Sequence, residues 1–264
     1  MMMNLTKNSN KKHFYKIISN GSLKSESIKK KIISMQPDNW IIDDIKADYI
    51  FVIGGDGTFL RSKKYYGNKK IISINGGNLG YYAFFNCNNL KTIFKKILND
   101  SYYFKPLLIV AQTDSFKYEA LNEILVRDDK VLNTNIYLNG VKLEKFKGTG
   151  IMVSTPYGST AHSKNCNGAL IEPEQKLIQL IEIEPLTQKK YNSLHSPLIM
   201  SADWKIDLKS EVANFSHIII DGTNEKNHFE KNLKIYSKEA EFYLFKPNSD
   251  ALYIKKLRDS FVRD

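Results

Sequence analysis

Apolar positions in the first hundred residues follow two alternating periods. Residues 13–18, 49–53 and 71–75 are short apolar runs of strand length. Between and after them, residues 22–35 set Ile28, Ile32 and Met35 at helical spacing behind Ser22 or Ser25, either able to begin the helix. Residues 89–99 likewise put Leu90, Ile93, Phe94, Ile97 and Leu98 on one helical face. A further helix is expected from Thr58 to about Tyr66, capped by Thr58, and residues 41–48 read as a short connection. Strands alternating with helices predict an α/β N-terminal domain with a doubly wound parallel sheet, whose ligands meet the carboxyl ends of the strands.

After about residue 101 the rhythm changes. Residues 102–112, 117–121, 133–138, 141–146 and 151–155 read as short strands, and Asn139-Gly140 between two of them is a hairpin signal. More strands are expected at 177–184, 196–200, 203–209, 215–220, 231–237 and 240–245. This is a β-rich, mainly antiparallel C-terminal domain. Residues 249–262 set Leu252, Ile254, Leu257 and Phe261 at near-helical spacing and are expected to return to the first domain. The expected division is 1–104, with 248–264 packing back on it, and 105–247.

Composition changes this picture little. Hydrophobic residues make up 42% of the 264, enough for a real core. No apolar run approaches the ~20 residues that span a bilayer, and the polar stretch 1–12 lacks the apolar core of a secretory signal. The expectation is a cytoplasmic protein with no membrane partner. Cys87 and Cys166 are the only cysteines, too far apart in sequence for a metal motif, and no metal-ligating set is read. The formal charge of +11 raises nucleic-acid binding, but the lysines are spread along the whole chain with no dense basic arm. A solvated lysine-rich surface is the favoured reading, with no nucleic acid as partner.

The candidate chemistry lies at three places. Gly54-Gly55-Asp56-Gly57-Thr58 follows the apolar run 49–53. Strand, glycine turn and helix start make a phosphate-binding geometry, because glycine lets backbone approach an anion and a helix start presents unpaired N–H groups. Asp56 repels phosphate, so its place there suits proton acceptance from an attacking hydroxyl, or a metal contact. The alternative is a turn whose aspartate caps the helix. Asn122-Glu123 pairs an amide with an acid, fit for an adenine edge and ribose hydroxyls or else a plain turn. The stretch 148–163, GTGIMVSTPYGSTAHS, runs from a strand into small hydroxyl residues that suit a flat polar ligand or a capped Pro-Gly turn. Asp221-Gly222 reads as a hairpin turn. No glycine-rich loop ending in Lys-Ser/Thr is present, which argues against a P-loop mechanism.

Gly54 to Thr58 resembles the GGDGT signature of a kinase superfamily that includes NAD kinases, diacylglycerol and sphingosine kinases and, more distantly, phosphofructokinases. With the glycine-rich segment 75–82, Asn122-Glu123 and the block 148–163 in the same order, the chain resembles the NAD kinases from about residue 13 to its end. The resemblance implies transfer of the terminal phosphoryl group of ATP, or of polyphosphate in some members, to the adenosine-ribose 2′-hydroxyl of NAD, with magnesium or another divalent cation on the phosphates. It implies Asp56 as the catalytic aspartate, and Gly55, Gly57 and Thr58 along the phosphates. Tyr81 would pack by the nucleotide, Asn122 would meet the adenine and Glu123 a ribose, and Thr160 and Ala161 would contact the adenine and its surroundings. Asp221 matches a late Asp-Gly of the family. Three positions depart from the pattern. Thr149 replaces an aspartate expected near the nicotinamide half, His162 a tyrosine, and Tyr157 a small hydroxyl residue. The resemblance further implies a homodimer or homotetramer. Two alternatives stand beside it: a catalytically idle nucleotide-binding sensor, motivated by those departures, and a lipid kinase, against which Asn122-Glu123 and the 154–163 block speak.

Overall fold

The computed structural model describes residues 11–76, 80–99, 101–187, 192–211, 215–225, 230–247 and 250–262. The chain forms two compact units, one running to Lys105 and resuming at Glu241, the other from Pro106 to Ala240. The first unit opens with β1 (His13–Ser19), α1 (Leu23–Ser34), β2 (Trp40–Ile42), β3 (Tyr49–Gly54), α2 (Asp56–Ser62), β4 (Lys70–Asn75), α3 (Ile93–Asn99) and β5 (Ser101–Phe104). The second holds β6 (Leu107–Gln112), β7 (Lys117–Ala120), β8 (Glu123–Leu138), β9 (Val141–Ser154), α4 (His162–Asn165), β10 (Leu177–Pro185), β11 (Leu198–Ser201), β12 (Ile206–Lys209), β13 (His217–Ile220), β14 (Thr223–Glu225) and β15 (Asn232–Glu239). β16 (Tyr243–Pro247) and α5 (Asp250–Phe261) complete the first unit.

The first sheet has the order β2-β1-β3-β4-β16-β5 among the described residues. All pairings are parallel except that of β16 with β5. Its order reverses between β1 and β3, which makes the carboxyl end of β3 a switch point where such sheets take ligands. Every residue of β3 is buried, which explains its unbroken apolar run. The core under it is aromatic: Tyr15, Trp40, Phe51, Phe94 and Phe245 pack together, with the Trp40 and Phe94 rings 4.8 Å apart. α1 begins where the serines foretold, Ser22 Oγ accepting from Ser25 N at 3.2 Å, and buries Ile28 and Ile32.

Several sequence expectations need correction. Residues 40–42 pair with β1 rather than serving as a connection, three residues being too few to show a period. The expected strand 102–112 is two strands. Pro106 interrupts it, having no N–H to give a ladder, and β5 pairs with β16 while β6 pairs with β15 and β7. The second boundary also differs, because β16 pairs with β4 and β5 and so belongs to the first unit from Glu241 onward. On α5 the inward residues are Tyr253, Lys256, Leu257 and Phe261, whereas Ile254 is 64% exposed. The side chain of Leu252, and residues 77–79 of the second glycine segment, lie outside the described residues.

The second unit is built on β8 and β9, sixteen and fourteen residues long, joined through Asn139 and Gly140 at φ 49° and 81°. Positive φ at both positions is what a tight hairpin between twisted strands demands. The sequence reading divided this ribbon because the polar run Arg127 to Lys130 hides the alternation where the register shifts between Arg127 and Leu132. Gly148 and Gly150 also read as breaks. They lie within β9, where a methyl group on Gly150 would come within 2.9 Å of the Val126 carbonyl oxygen. Around the ribbon the main path runs β11-β10-β9-β8-β12-β15-β6-β7 among the described residues, with β13 also on β8 and carrying β14. Ile109, Ile124, Val126, Ile136, Phe146 and Ile151 lie at its centre, all fully buried. No helix of the described residues is long and apolar enough to cross a membrane.

Candidate functional site

In the first unit the site forms where β3 meets α2. The helix starts at Asp56, two residues earlier than expected, so Thr58 is not its cap. Gly55 holds the cap position without a side-chain hydrogen bond, and Thr58 is buried in the first turn, its N–H on Gly55 O at 2.9 Å. The three glycines serve different ends. A methyl on Gly54 would lie 2.5 Å from Thr58 Oγ1, and one on Gly57 would lie 3.1 Å from the Arg61 guanidinium. Gly55 alone faces open space.

Asp56 projects from this turn and is held by backbone. Its Oδ2 accepts from Tyr81 N at 3.0 Å and its Oδ1 from Tyr82 N at 3.2 Å. Tyr82 stacks on Phe59 of α2, ring centroids 4.3 Å apart and planes 9° apart, which ties the 80–85 loop to the helix. Gly76 N donates to Gly54 O at 3.2 Å, so the ends of β3 and β4 approach closely. Gly55, Asp56, Gly57, Thr58 and Tyr81 are thus brought together.

One neighbour escaped the sequence reading. Lys256 on α5 donates from Nζ to Tyr81 O at 2.6 Å and lies over the Phe84 ring, 3.8 Å from its centroid. Burial lowers its pKa to about 7, against which the charge of Asp56 acts. A lysine within Lys255-Lys256 on a lysine-rich chain carries no sequence signal of its own. A cavity of about 270 Å³ borders it, lined by Asn75, Phe84, Phe85, Asn86 and Asp259 among others.

In the second unit the polar residues gather at one end of β8, β9 and β13. Asn122 and Glu123 are buried, and Glu123 pairs with Ser154 across the ribbon. Asp221 lies in the tight turn after β13, with φ 48° followed by Gly222 at 79°. Its carboxylate accepts from Leu121 N at 2.9 Å and Asn122 N at 2.7 Å, and its own N–H donates to Glu123 O at 3.1 Å. The Thr155 N–H reaches Asn122 O at 2.9 Å and its hydroxyl reaches Leu121 O at 2.5 Å. Gly158 N donates to Thr155 Oγ1 at 3.1 Å, and any side chain on Gly158 would overlap the Asn122 carbonyl. Asn122, Glu123, Asp221 and the 155–160 turn are therefore one constellation. Burial first, and the Asp221 charge second, push the Glu123 carboxyl up to about 8.

Of the remaining predicted residues, Thr160 closes the 155–160 turn and the others lie beyond it. Ala161 is half-buried and precedes α4, which His162 opens as an exposed residue. Thr160 Oγ1 donates to Tyr157 O at 3.0 Å, and Tyr157 is itself buried. Thr149 lies five positions before Ser154 on β9, and its hydroxyl donates to Glu184 Oε2 at 2.6 Å. No cluster of three or more His, Cys, Asp or Glu able to hold a metal exists among the described residues. A cation here would depend on ligand phosphates plus a single carboxylate, an arrangement that suits magnesium.

Known proteins bear directly on this geometry. The profile of the ATP-NAD kinase N-terminal domain matches residues 4–102, and that of the ATP-NAD kinase C-terminal domain matches residues 122–246. The chain is 31% identical over 259 residues to the NAD kinase of Mycoplasmoides gallisepticum, spanning 94% of each. It is 36% identical over 228 residues to that of Fusobacterium nucleatum, spanning 80% of this chain and 82% of the relative. Two solved structures share the fold. The yeast NADH kinase complexed with NADH has a TM-score of 0.78 at 18% identity, over 97% of this chain and 90% of that one. An NAD kinase from Archaeoglobus fulgidus in complex with ATP has a TM-score of 0.72 at 20% identity, over 93% of this chain and 98% of that one. Two profiles across most of the length, and relatives above 30% identity over 80% and 94% of it, establish that the chain belongs to the NAD kinase family, enzymes that phosphorylate NAD.

Proposed function

We propose that this chain phosphorylates the adenosine-ribose 2′-hydroxyl of NAD with ATP as donor, and that Asp56 engages that hydroxyl and accepts its proton. The observation that carries this reading is the Asp56 carboxylate at the end of β3, oriented by two backbone N–H groups beside a glycine that faces open space. A sugar hydroxyl is a weak nucleophile. Its activation needs alignment, neutralisation of phosphate charge and one carboxylate for the proton. Gly55, Gly57 and Thr58 line the phosphates in this reading, and Tyr81 packs by the nucleotide. Asn122 meets the adenine and Glu123 a ribose, with Asp221 fixing the backbone N–H groups of Leu121 and Asn122. Thr160, Ala161 and His162 border the adenine, and Thr149, paired with Glu184, faces the nicotinamide half.

Magnesium would fit the residues present: substrate phosphates and water would hold it, with Asp56 as the nearby carboxylate. Bound there, the cation neutralises the charge of the transferring group. A cytoplasmic homodimer or homotetramer completes the reading, supported by the family resemblance.

NADP formation by the purified protein with NAD, ATP and magnesium, beside Asp56→Asn, tests this function. The wild type is expected to turn over and the variant to lose at least about a hundredfold in kcat with NAD binding kept. The second reading, a sensor that binds without turnover, is favoured by Thr149, Tyr157 and His162 standing where the family has other residues. It predicts NAD binding with no product from either protein, with ATP or with polyphosphate.

A further inference from the structure

We propose that Lys256 is a positioning residue for phosphoryl transfer, pinning the Tyr81–Tyr82 peptide, whose Tyr82 N–H, beside the Tyr81 N–H of the preceding peptide, orients the Asp56 carboxylate. The inference rests on the reading of Asp56 just given. Its geometry is a short relay within the first unit. Lys256 Nζ donates to Tyr81 O at 2.6 Å, and Tyr81 N and Tyr82 N donate to the two carboxylate oxygens of Asp56 at 3.0 and 3.2 Å. A carboxylate gripped at both oxygens keeps its orientation only if the gripping peptides keep theirs. Those peptides lie in a stretch with no helix or strand of its own, where residues 80–85 form only turns and a single bridge between Phe85 and Ile74.

The chain surrounds this amine with restraint. Phe84 and Tyr81 present ring faces to Nζ, at 3.8 and 5.7 Å from their centroids. The Tyr81 and Phe261 rings pack 6.2 Å apart, which seats α5 against the same loop. A partly buried lysine amine loses hydration that its contacts must replace. Burial alone would favour the neutral amine, and the Asp56 charge pulls the other way. Charged or neutral, the amine donates to the Tyr81 carbonyl, which a methionine of similar size could not do. This also gives the returning C-terminal helix a task in the reaction, although no residue of it touches Asp56 by hydrogen bond among the described residues.

Lys256→Met and Lys256→Arg, compared with the wild type and with Asp56→Asn in the full chain, test the inference. Kinetic constants for NAD and ATP and the melting temperature are the readouts. Lys256→Met is expected to lose about tenfold or more in kcat, with both KM values within about twofold and the melting temperature held, as for an interaction realised in the transition state. Lys256→Arg keeps a cation able to reach a carbonyl and is expected to restore most of kcat. Unchanged kcat in Lys256→Met overturns the inference. So does a rise in KM at constant kcat, or a loss that tracks the melting temperature and that arginine does not rescue. Full activity in Asp56→Asn overturns the reading of Asp56 itself, and that result is separate from anything Lys256 does.

Discussion

Glu123 is 5% exposed, with Asp221 the charge that opposes its ionisation and its Oε2 without a hydrogen-bond partner among the described residues. Its carboxyl is raised from the model-compound value of 4.5 to about 8. Between those values the folded chain holds a proton that the unfolded chain releases. Stability is therefore full below about pH 4.5 and declines as pH rises through 8. Glu123→Gln has no such proton to lose. Its melting temperature is expected to match the wild type near pH 5 and to exceed it by about 5 °C near pH 8.5. Parallel melting curves at both pH values would remove the buried, protonated carboxyl from the account. The same residue bears on binding. Ribose hydroxyls donating to this carboxyl favour its ionised form, so NAD binding at pH 7 is expected to release a fraction of a proton. Titration calorimetry in two buffers of different ionisation enthalpy reads this as a difference in apparent heat, and equal heats would exclude it. Nothing in the pair Asn122-Glu123 foretold the raised pKa, because its burial comes from the fold and Asp221 stands about a hundred positions away, brought near through β13.

At the scale of the element, the turn from β3 into α2 sets Gly54, packed against Thr58, apart from Gly55, which faces open space. Glycine there was legible in the sequence, but the reading put Gly55 and Gly57 together along the phosphates, whereas of the two only Gly55 faces open space. A methyl group on Gly54 has no room beside Thr58, whereas one on Gly55 meets nothing within 4 Å and its φ of −95° suits any residue. Gly54→Ala is expected to cost about 2 kcal/mol by overpacking, a drop of roughly 4–8 °C in melting temperature for a chain of this size. Gly55→Ala is expected to keep the wild-type melting temperature and, if the proposed phosphate path holds, to lose about tenfold or more in kcat/KM for ATP. A Gly55→Ala enzyme of full activity would detach the open face from the phosphates. Elsewhere legibility followed local chemistry. Asn139-Gly140 announced its hairpin because positive φ leaves few residue choices. The length of β8 and β9 stayed hidden because burial, not local pattern, holds Gly148 and Gly150 in the strand.

At the scale of the whole molecule, the charge of +11 has to be reconciled with a small anionic ligand. The structure disperses it. Lys70, Lys105, Lys117 and Lys209 each lie over a tyrosine ring, at 4.6 to 6.0 Å from a centroid, and Lys176 and Lys145 pair with Glu239 and Glu211 at exposed positions. These lysines stand at separate places on the two units, each against its own ring or carboxylate. A diffuse positive field accelerates encounter with anions in proportion to their charge and is screened over about 8 Å at physiological ionic strength. Raising salt from about 20 to 200 mM is therefore expected to lower kcat/KM for ATP severalfold and for the less charged NAD distinctly less, with kcat unaltered. Duplex DNA added at about 150 mM salt is expected to leave both rates unchanged, because nonspecific binding by counterion release is weak at that salt. Equal salt sensitivity for the two substrates would assign the lysines to solubility alone. Inhibition by DNA that disappears steeply with salt would instead reveal a basic track that the dispersed pairing of Lys70, Lys105, Lys117 and Lys209 with tyrosines speaks against.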